Sequence, residues 1–176
     1  KVFVPKNILH KQGPLTDNEF SEMKKHSFLG FEYLASEYVG SVGSQAGILD
    51  HHEKFSGGGY PNNAKGEKIS LYGRIISIAD VYDALTSDRP YRKGLLPSEA
   101  VEYIMGGTGN LFDPELVKVF IRKIAPYPVG TAVKLSNGLS GVVIDNFESF
   151  CMRPNIRVFK NGEYEIKPFD ICLADR

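Results

Sequence analysis

Little cysteine, no net charge and no long apolar run: each absence removes a class of protein. The 176 residues include two cysteines, Cys151 and Cys172. Two are too few for a disulfide scaffold, and no Cys-x-x-Cys pair is present to bind metal. They read as reduced thiols in a cytosolic protein. Lys and Arg number 21 against 21 Asp and Glu, a balance that argues against a binder of nucleic-acid polymer, which carries a basic excess. No apolar run approaches the ~20 residues that span a bilayer. A mean hydropathy of -0.20 with 24% charged residues fits a folded domain better than a disordered chain. The sequence opens Lys1-Val2-Phe3-Val4 without an initiator Met, so it reads as a fragment, a processed form or a record lacking its upstream part.

What is present divides into two regions. Up to about Ala125 the apolar spacing is helical. After Pro126 it becomes short, alternating and punctuated by turns, and Pro126-Tyr127-Pro128-Val129-Gly130 breaks any helix between them. This places a helical domain at 1–126 and a small β-rich extension at 127–176. Thr16-x-x-Glu19 is a capping box that starts one helix, and a second helical stretch follows His26. Another runs from near Ser44 to about Glu53. Phe55 to Lys68 is a loop, with Gly57, Gly58, Gly59 and Pro61-Asn62-Asn63 against regular structure. A strong helix covers about 71–87, with Ile75, Ile78, Ala79, Tyr82 and Leu85 as its expected buried stripe. Pro97 and Asp113-Pro114 open two more. From Thr131 five short strands are expected, with Ser136-Asn137-Gly138 and Lys160-Asn161-Gly162 as hairpin turns. Five strands suffice for a small barrel.

Chemistry-bearing residues gather in three places. His51 and His52 are adjacent at an expected helix end, where imidazolium is also favoured by the helix dipole. Side chains one residue apart on a helix diverge by about 100°, so on periodicity a single ion is not easily held by both. Asp80 lies beside the apolar stripe of its helix and needs a cation or donors. An ion pair with Arg74 or Arg89 satisfies that need as well as a metal does. Sets of His and carboxylate suit Zn, Fe or Mn. Arg89-Pro90-Tyr91-Arg92-Lys93 follows the Asp80 helix and offers guanidinium forks suited to phosphate, or an ordinary basic helix end. Gly57-Gly58-Gly59-Tyr60-Pro61 matches no phosphate-cradling motif. Its aromatic Tyr60 suits a lid or a docking surface in a flexible segment.

Together, His51-His52-Glu53-Lys54-Phe55-Ser56-Gly57-Gly58-Gly59-Tyr60-Pro61, then Arg74-Ile75-Ile76-Ser77-Ile78-Ala79-Asp80-Val81-Tyr82-Asp83, then Arg89-Pro90-Tyr91-Arg92, resemble the HD-GYP family of the HD phosphohydrolase superfamily. Val4-Pro5, Ile8-Leu9, Gly13-Pro14-Leu15-Thr16, Glu19 and His26-x-x-x-Gly30 agree. The resemblance covers about residues 1–125. It implies a mainly α, helical HD-type bundle with a β-barrel-like C-terminal extension, holding two or three divalent metal ions, most often Fe or Mn. It implies hydrolysis of the bacterial second messenger cyclic di-GMP to linear pGpG or on to GMP, in the bacterial cytoplasm.

Carried over by position, His26, His51, His52 and Asp80 match metal ligands. Lys1 matches a catalytic lysine near the bound phosphate, and Arg89 and Arg92 match positions facing substrate phosphate. Gly59, Tyr60 and Pro61 match the signature loop, structural or partner-docking in role. A protein partner at that loop and a homodimer are the associations this allows. The chemistry implied is metal-promoted: cations lower the pKa of water and clamp phosphate oxygens, while Lys1, Arg89 and Arg92 offset developing charge. The His-Asp pair that names the family is expected immediately before Lys1, and Ser56 stands where the family usually has Asp or Asn. The alternative is a degenerate module that binds the dinucleotide or docks a partner without turnover.

Overall fold

Capping chemistry decides where the helices begin. The computed structural model describes residues 1–37, 40–88, 92–147 and 151–175. A short α1 (Lys6–Leu9) precedes α2 (Asp17–Ser36), whose capping box forms as expected: the Glu19 N–H donates to Thr16 Oγ1 and the Thr16 N–H to Glu19 Oε2. α2 is one helix of 20 residues that carries His26 in its middle. The N-cap of α3 (Val42–Asp50) is Ser41, and that of α4 (Leu71–Thr86) is Ser70. α5 (Pro97–Gly106) and α6 (Pro114–Lys123) follow, and Asp113 Oδ1 accepts from the Glu115 N–H at 2.9 Å. No helix among the described residues is long and apolar enough to cross a membrane.

The chain divides into two units, Lys1–Leu95 with Tyr103–Val117, and Leu96–Glu102 with Lys118–Arg176. In the first, α3 packs on both α2 and α4. Gly47 allows the second contact: a Cβ there would stand 2.8 Å from Ile76 Cδ1. Val4, Ile8, Ile69, Ile78 and Phe112 are buried in this unit. The expected stripe on α4 is corrected in part. Ile78 is buried, but Ile75 is 46% exposed and Ala79 lies on the surface. The reason is that α3 docks on Tyr72 and Ile76, and no described element covers the neighbouring face.

The second unit holds β1 (Ala132–Lys134), β2 (Leu139–Asp145), β3 (Asn155–Asn161) and β4 (Tyr164–Cys172). They form an antiparallel sheet in the order β1-β2-β3-β4. Both expected hairpin turns are present, with Gly138 and Gly162 at positive φ. Among the described residues four strands appear rather than five, because the last two expected strands run together through Pro168. Proline is tolerated there because β4 is an edge, where its missing N–H breaks no ladder bond. β1 and β4 do not pair, so the sheet is open rather than a closed barrel. Ile156, Val158 and Ile171 form its core, with Val133, Leu135, Leu139, Ile166 and Leu173 packed against them.

Candidate metal centre

Three imidazoles converge although they come from different elements. His26 projects from the middle of α2, His51 is the C-cap of α3, and His52 follows it. Their ligand nitrogens all lie within 4.8 Å of one another. Helical periodicity predicted that His51 and His52 diverge, and it does not apply here because His52 lies past the helix end. Their ring centroids are 4.0 Å apart.

Hydrogen bonds fix which nitrogens are free. His26 Nδ1 is 2.7 Å from the Met23 carbonyl oxygen, and His51 Nδ1 is 2.7 Å from that of Ile48. A carbonyl only accepts, so each Nδ1 carries the proton and each neutral ring turns an Nε2 lone pair inward. His26 Nε2 stands 3.3 Å from His51 Nε2 and 3.2 Å from His52 Nε2. Lone pairs at that distance repel unless a proton or cation lies between them.

Protonation is disfavoured here. Burial, ahead of the charges of its two neighbours, pushes the His52 pKa down to about 3. Burial also lowers His26 and His51, against the raising effect of their backbone hydrogen bonds. Lys1 lowers all three further by its positive charge. A metal ion fits this donor set. With metal–nitrogen bonds of about 2.0–2.1 Å, neighbouring nitrogens stand roughly 2.8–3.0 Å apart in octahedral and roughly 3.3–3.4 Å apart in tetrahedral geometry.

The signature loop supports this centre. The Tyr60 ring stacks at a tilt on His52, centroids 4.7 Å apart, and meets Phe20 edge-on. Burial, with a smaller push from Asp80, raises the Tyr60 hydroxyl pKa to about 12, so it stays protonated. Gly59 is required by close approach, since a Cβ there would lie 2.4 Å from Glu53 Cα. The expectation of a flexible loop is corrected, because its backbone is tied down. Buried Glu53 accepts from the N–H groups of Asn62 at 2.7 Å and Ala64 at 3.0 Å. The N–H groups of Phe55 and Ser56 donate to the carbonyls of Leu111 and Asn110, and Ser56 Oγ donates to Asn110 Oδ1 at 2.6 Å. Ser56 thus anchors the loop through its hydroxyl.

The remaining expected residues are placed less closely. Asp80 is exposed on α4 and lies outside the group of three. Its negative charge still reaches His51 and Tyr60, adding to the rise at Tyr60 and partly opposing the larger lowering by burial at His51. It does not pair with Arg74, which instead forms a largely buried ion pair with Asp113. Lys1 is exposed, with its charge felt at all three histidines. Arg92 donates to the Ala84 carbonyl at 2.8 Å at the C-terminal end of α4, the helix-end contact that basic residues commonly make. Arg89 lies outside the described residues.

Sequence reading missed Asp50 and Glu53, buried acids that hold the framework, and the pairing of the Asp113 cap with Arg74. Asp50 accepts from the Ser70 N–H at 2.8 Å. Glu53 carried a usable signal: an acid at a helix end beside a glycine-rich loop is placed to bind the loop's free N–H groups.

Residues 1–116 match the HD domain family. The chain is 39% identical over 166 residues to a cyclic di-GMP phosphodiesterase of Pseudomonas aeruginosa, covering 94% of this chain and 40% of that protein. It is 40% identical to the cyclic di-GMP phosphodiesterase response regulator RpfG of Xanthomonas campestris, covering 69% and 32%. It is 38% identical to a 3'3'-cGAMP-specific phosphodiesterase of Vibrio cholerae, covering 69% and 24%. The chain therefore spans well under half the length of each of these relatives.

Proposed function

The chain belongs to the HD domain family, in its HD-GYP form, and from that premise we propose that it carries metal-dependent hydrolysis of cyclic di-GMP to linear pGpG or on to GMP. The observation that carries this reading is the convergence of the Nε2 atoms of His26, His51 and His52, with the first two left as lone pairs because their Nδ1–H groups donate to carbonyls. Two or three divalent ions, Fe or Mn, are the cofactor we assign, with Asp80 as the acidic ligand. Such ions supply Lewis-acid polarisation of the phosphate and a water of lowered pKa.

The protein's own side chains do the rest. Met23 and Ile48 hold the His26 and His51 rings in one tautomer through Nδ1–H. Tyr60 holds His52 by stacking, and Glu53 holds Tyr60 by fixing the loop. Lys1 offsets phosphate charge beside the imidazoles, and Arg89 and Arg92 are assigned to the substrate side. Local positive charge suffices for a dianionic dinucleotide on a neutral chain. Residues 1–126 are assigned the hydrolase role, in the bacterial cytoplasm, and 127–176 an appended one.

The test is incubation of the Mn- or Fe-loaded protein with cyclic di-GMP, with 3'3'-cGAMP alongside, and chromatography of the products. Linear pGpG or GMP is expected, with a loss of at least about a hundredfold in His51→Ala. Intact substrate after prolonged incubation, or full activity in His51→Ala, contradicts the reading.

A further inference from the structure

The second unit contains an open cavity of about 520 Å³ whose floor runs along residues 131–135, the whole of β1 and one residue on either side. β1 is an edge strand. The Val143 N–H donates to the Thr131 carbonyl and the Leu135 N–H to that of Leu139. In an antiparallel ladder alternate residues bond to the same neighbour. Thr131, Val133 and Leu135 therefore face β2, while the N–H and C=O of Ala132 and Lys134 point away from it. Neither residue has a backbone hydrogen bond on that side among the described residues.

The two edges of the sheet are treated differently. β4 is blunted by Pro168 and by charged Glu165, Lys167 and Asp170, as edges that avoid pairing commonly are. β1 has instead a groove walled by apolar groups, among them Tyr127, Met152, Pro154 and Ile156. Lys134 is the one charged residue among the described lining, and no carboxylate faces it.

We propose that the β1 edge and its groove form a docking site for an extended polypeptide segment with alternating apolar and acidic residues, which joins the sheet as a further strand. Backbone bonds to Ala132 and Lys134 supply the pairing, apolar side chains fill the groove, and an acidic side chain meets Lys134. Recognition of this type takes affinity from main-chain bonds and selectivity from alternate side chains. This inference stands apart from the metal centre and from the proposed hydrolysis.

The probe is a fluorescein-labelled heptapeptide alternating valine and glutamate, titrated into the full 176-residue chain and followed by anisotropy. Saturable binding is expected. Ala132→Pro, which removes an N–H that β2 does not use, should weaken binding at least tenfold while the circular dichroism spectrum and Tm are retained. Lys134→Glu should weaken it at least fivefold, and N-methylation of alternate peptide amides should abolish it, which tests the pairing even if Ala132→Pro fails to fold. Absence of saturable binding at millimolar peptide overturns the proposal. So does equal binding by Ala132→Pro or by the N-methylated peptide. Binding of dodecanoate in place of the peptide would reassign the groove to a small amphipathic acid. A dimer in sedimentation that Lys134→Glu abolishes would reassign it to a second copy of the chain.

Discussion

The two units bury different things. The helical unit buries His26, Ser27, Asp50, Glu53 and Asp113 among its apolar core, whereas the sheet unit buries a cluster of Ile156, Val158 and Ile171, with Ser98 its one buried polar residue among those described. Buried polar groups cost free energy unless they are bonded, and in the helical unit most of them are. Asp50 and Glu53 accept backbone N–H groups, and Asp113 accepts both Arg74 and the start of α6. The inward Nε2 atoms of the histidines have only one another. Polar burial in one unit therefore fixes geometry around a centre that could hold a metal ion, while apolar burial in the other serves stability and leaves function to an edge.

The widest separation between the units is expected in acid. The three imidazoles have pKa values below the ordinary 6.5, with His52 near 3. In the unfolded chain they protonate near 6.5, so the unfolded state binds more protons below that pH. The stability they contribute is complete above about pH 6.5 and is lost as pH falls towards 3. The metal-free chain should lose stability across that window, with the loss in the helical unit. Urea titrations at stepped pH, read from tyrosine signals in each unit, check this. Equal losses in both units would break the comparison.

Next in size is Asp113→Ala. It leaves Arg74 buried without its partner and removes the α6 cap, so it should cost about 3–5 kcal/mol, read as a fall in the urea midpoint. Val158→Ala removes buried methyl groups from the sheet core and should cost about 2 kcal/mol while leaving metal content unchanged. A drop in metal content would show that the units are not independent in this sense. Smallest is Asp170→Asn. Its paired oxygens lie 2.8 and 2.9 Å from Arg157, but both side chains are about half exposed, so the fall in the urea midpoint should be the smallest of the set and should shrink in salt.

Much of the helical unit was legible because its signals are local. The Thr16–Glu19 box, the Pro97 start and the Asp113 cap each act within four residues, and each forms where expected. The hairpin glycines were legible for the same reason. What was not legible depends on contacts far apart in sequence. Periodicity placed Ile75 in the core, but the site where α3 docks decides which face of α4 is buried. Counting alternating segments gave five strands, because it could not show that Pro168 lies on a free edge.

At the candidate centre, His26 and the His51-His52 pair were found by motif. Their convergence depends on a helix ending at Asp50, which periodicity within a helix cannot express. Glu53, and the pairing of Asp113 with Arg74, were overlooked because a buried acid looks like a surface one until its donors are placed. Asp80 shows the reverse: its helix position was read correctly, its environment was not.

The central claim is that three imidazole nitrogens share a metal ion. X-ray absorption on the Mn- or Fe-loaded chain tests it most directly. The account predicts imidazole scattering from three nitrogen ligands at the metal, reduced by one in His52→Ala. A metal shell of oxygens alone, unchanged by His52→Ala, or a chain that retains no metal after desalting, would contradict it.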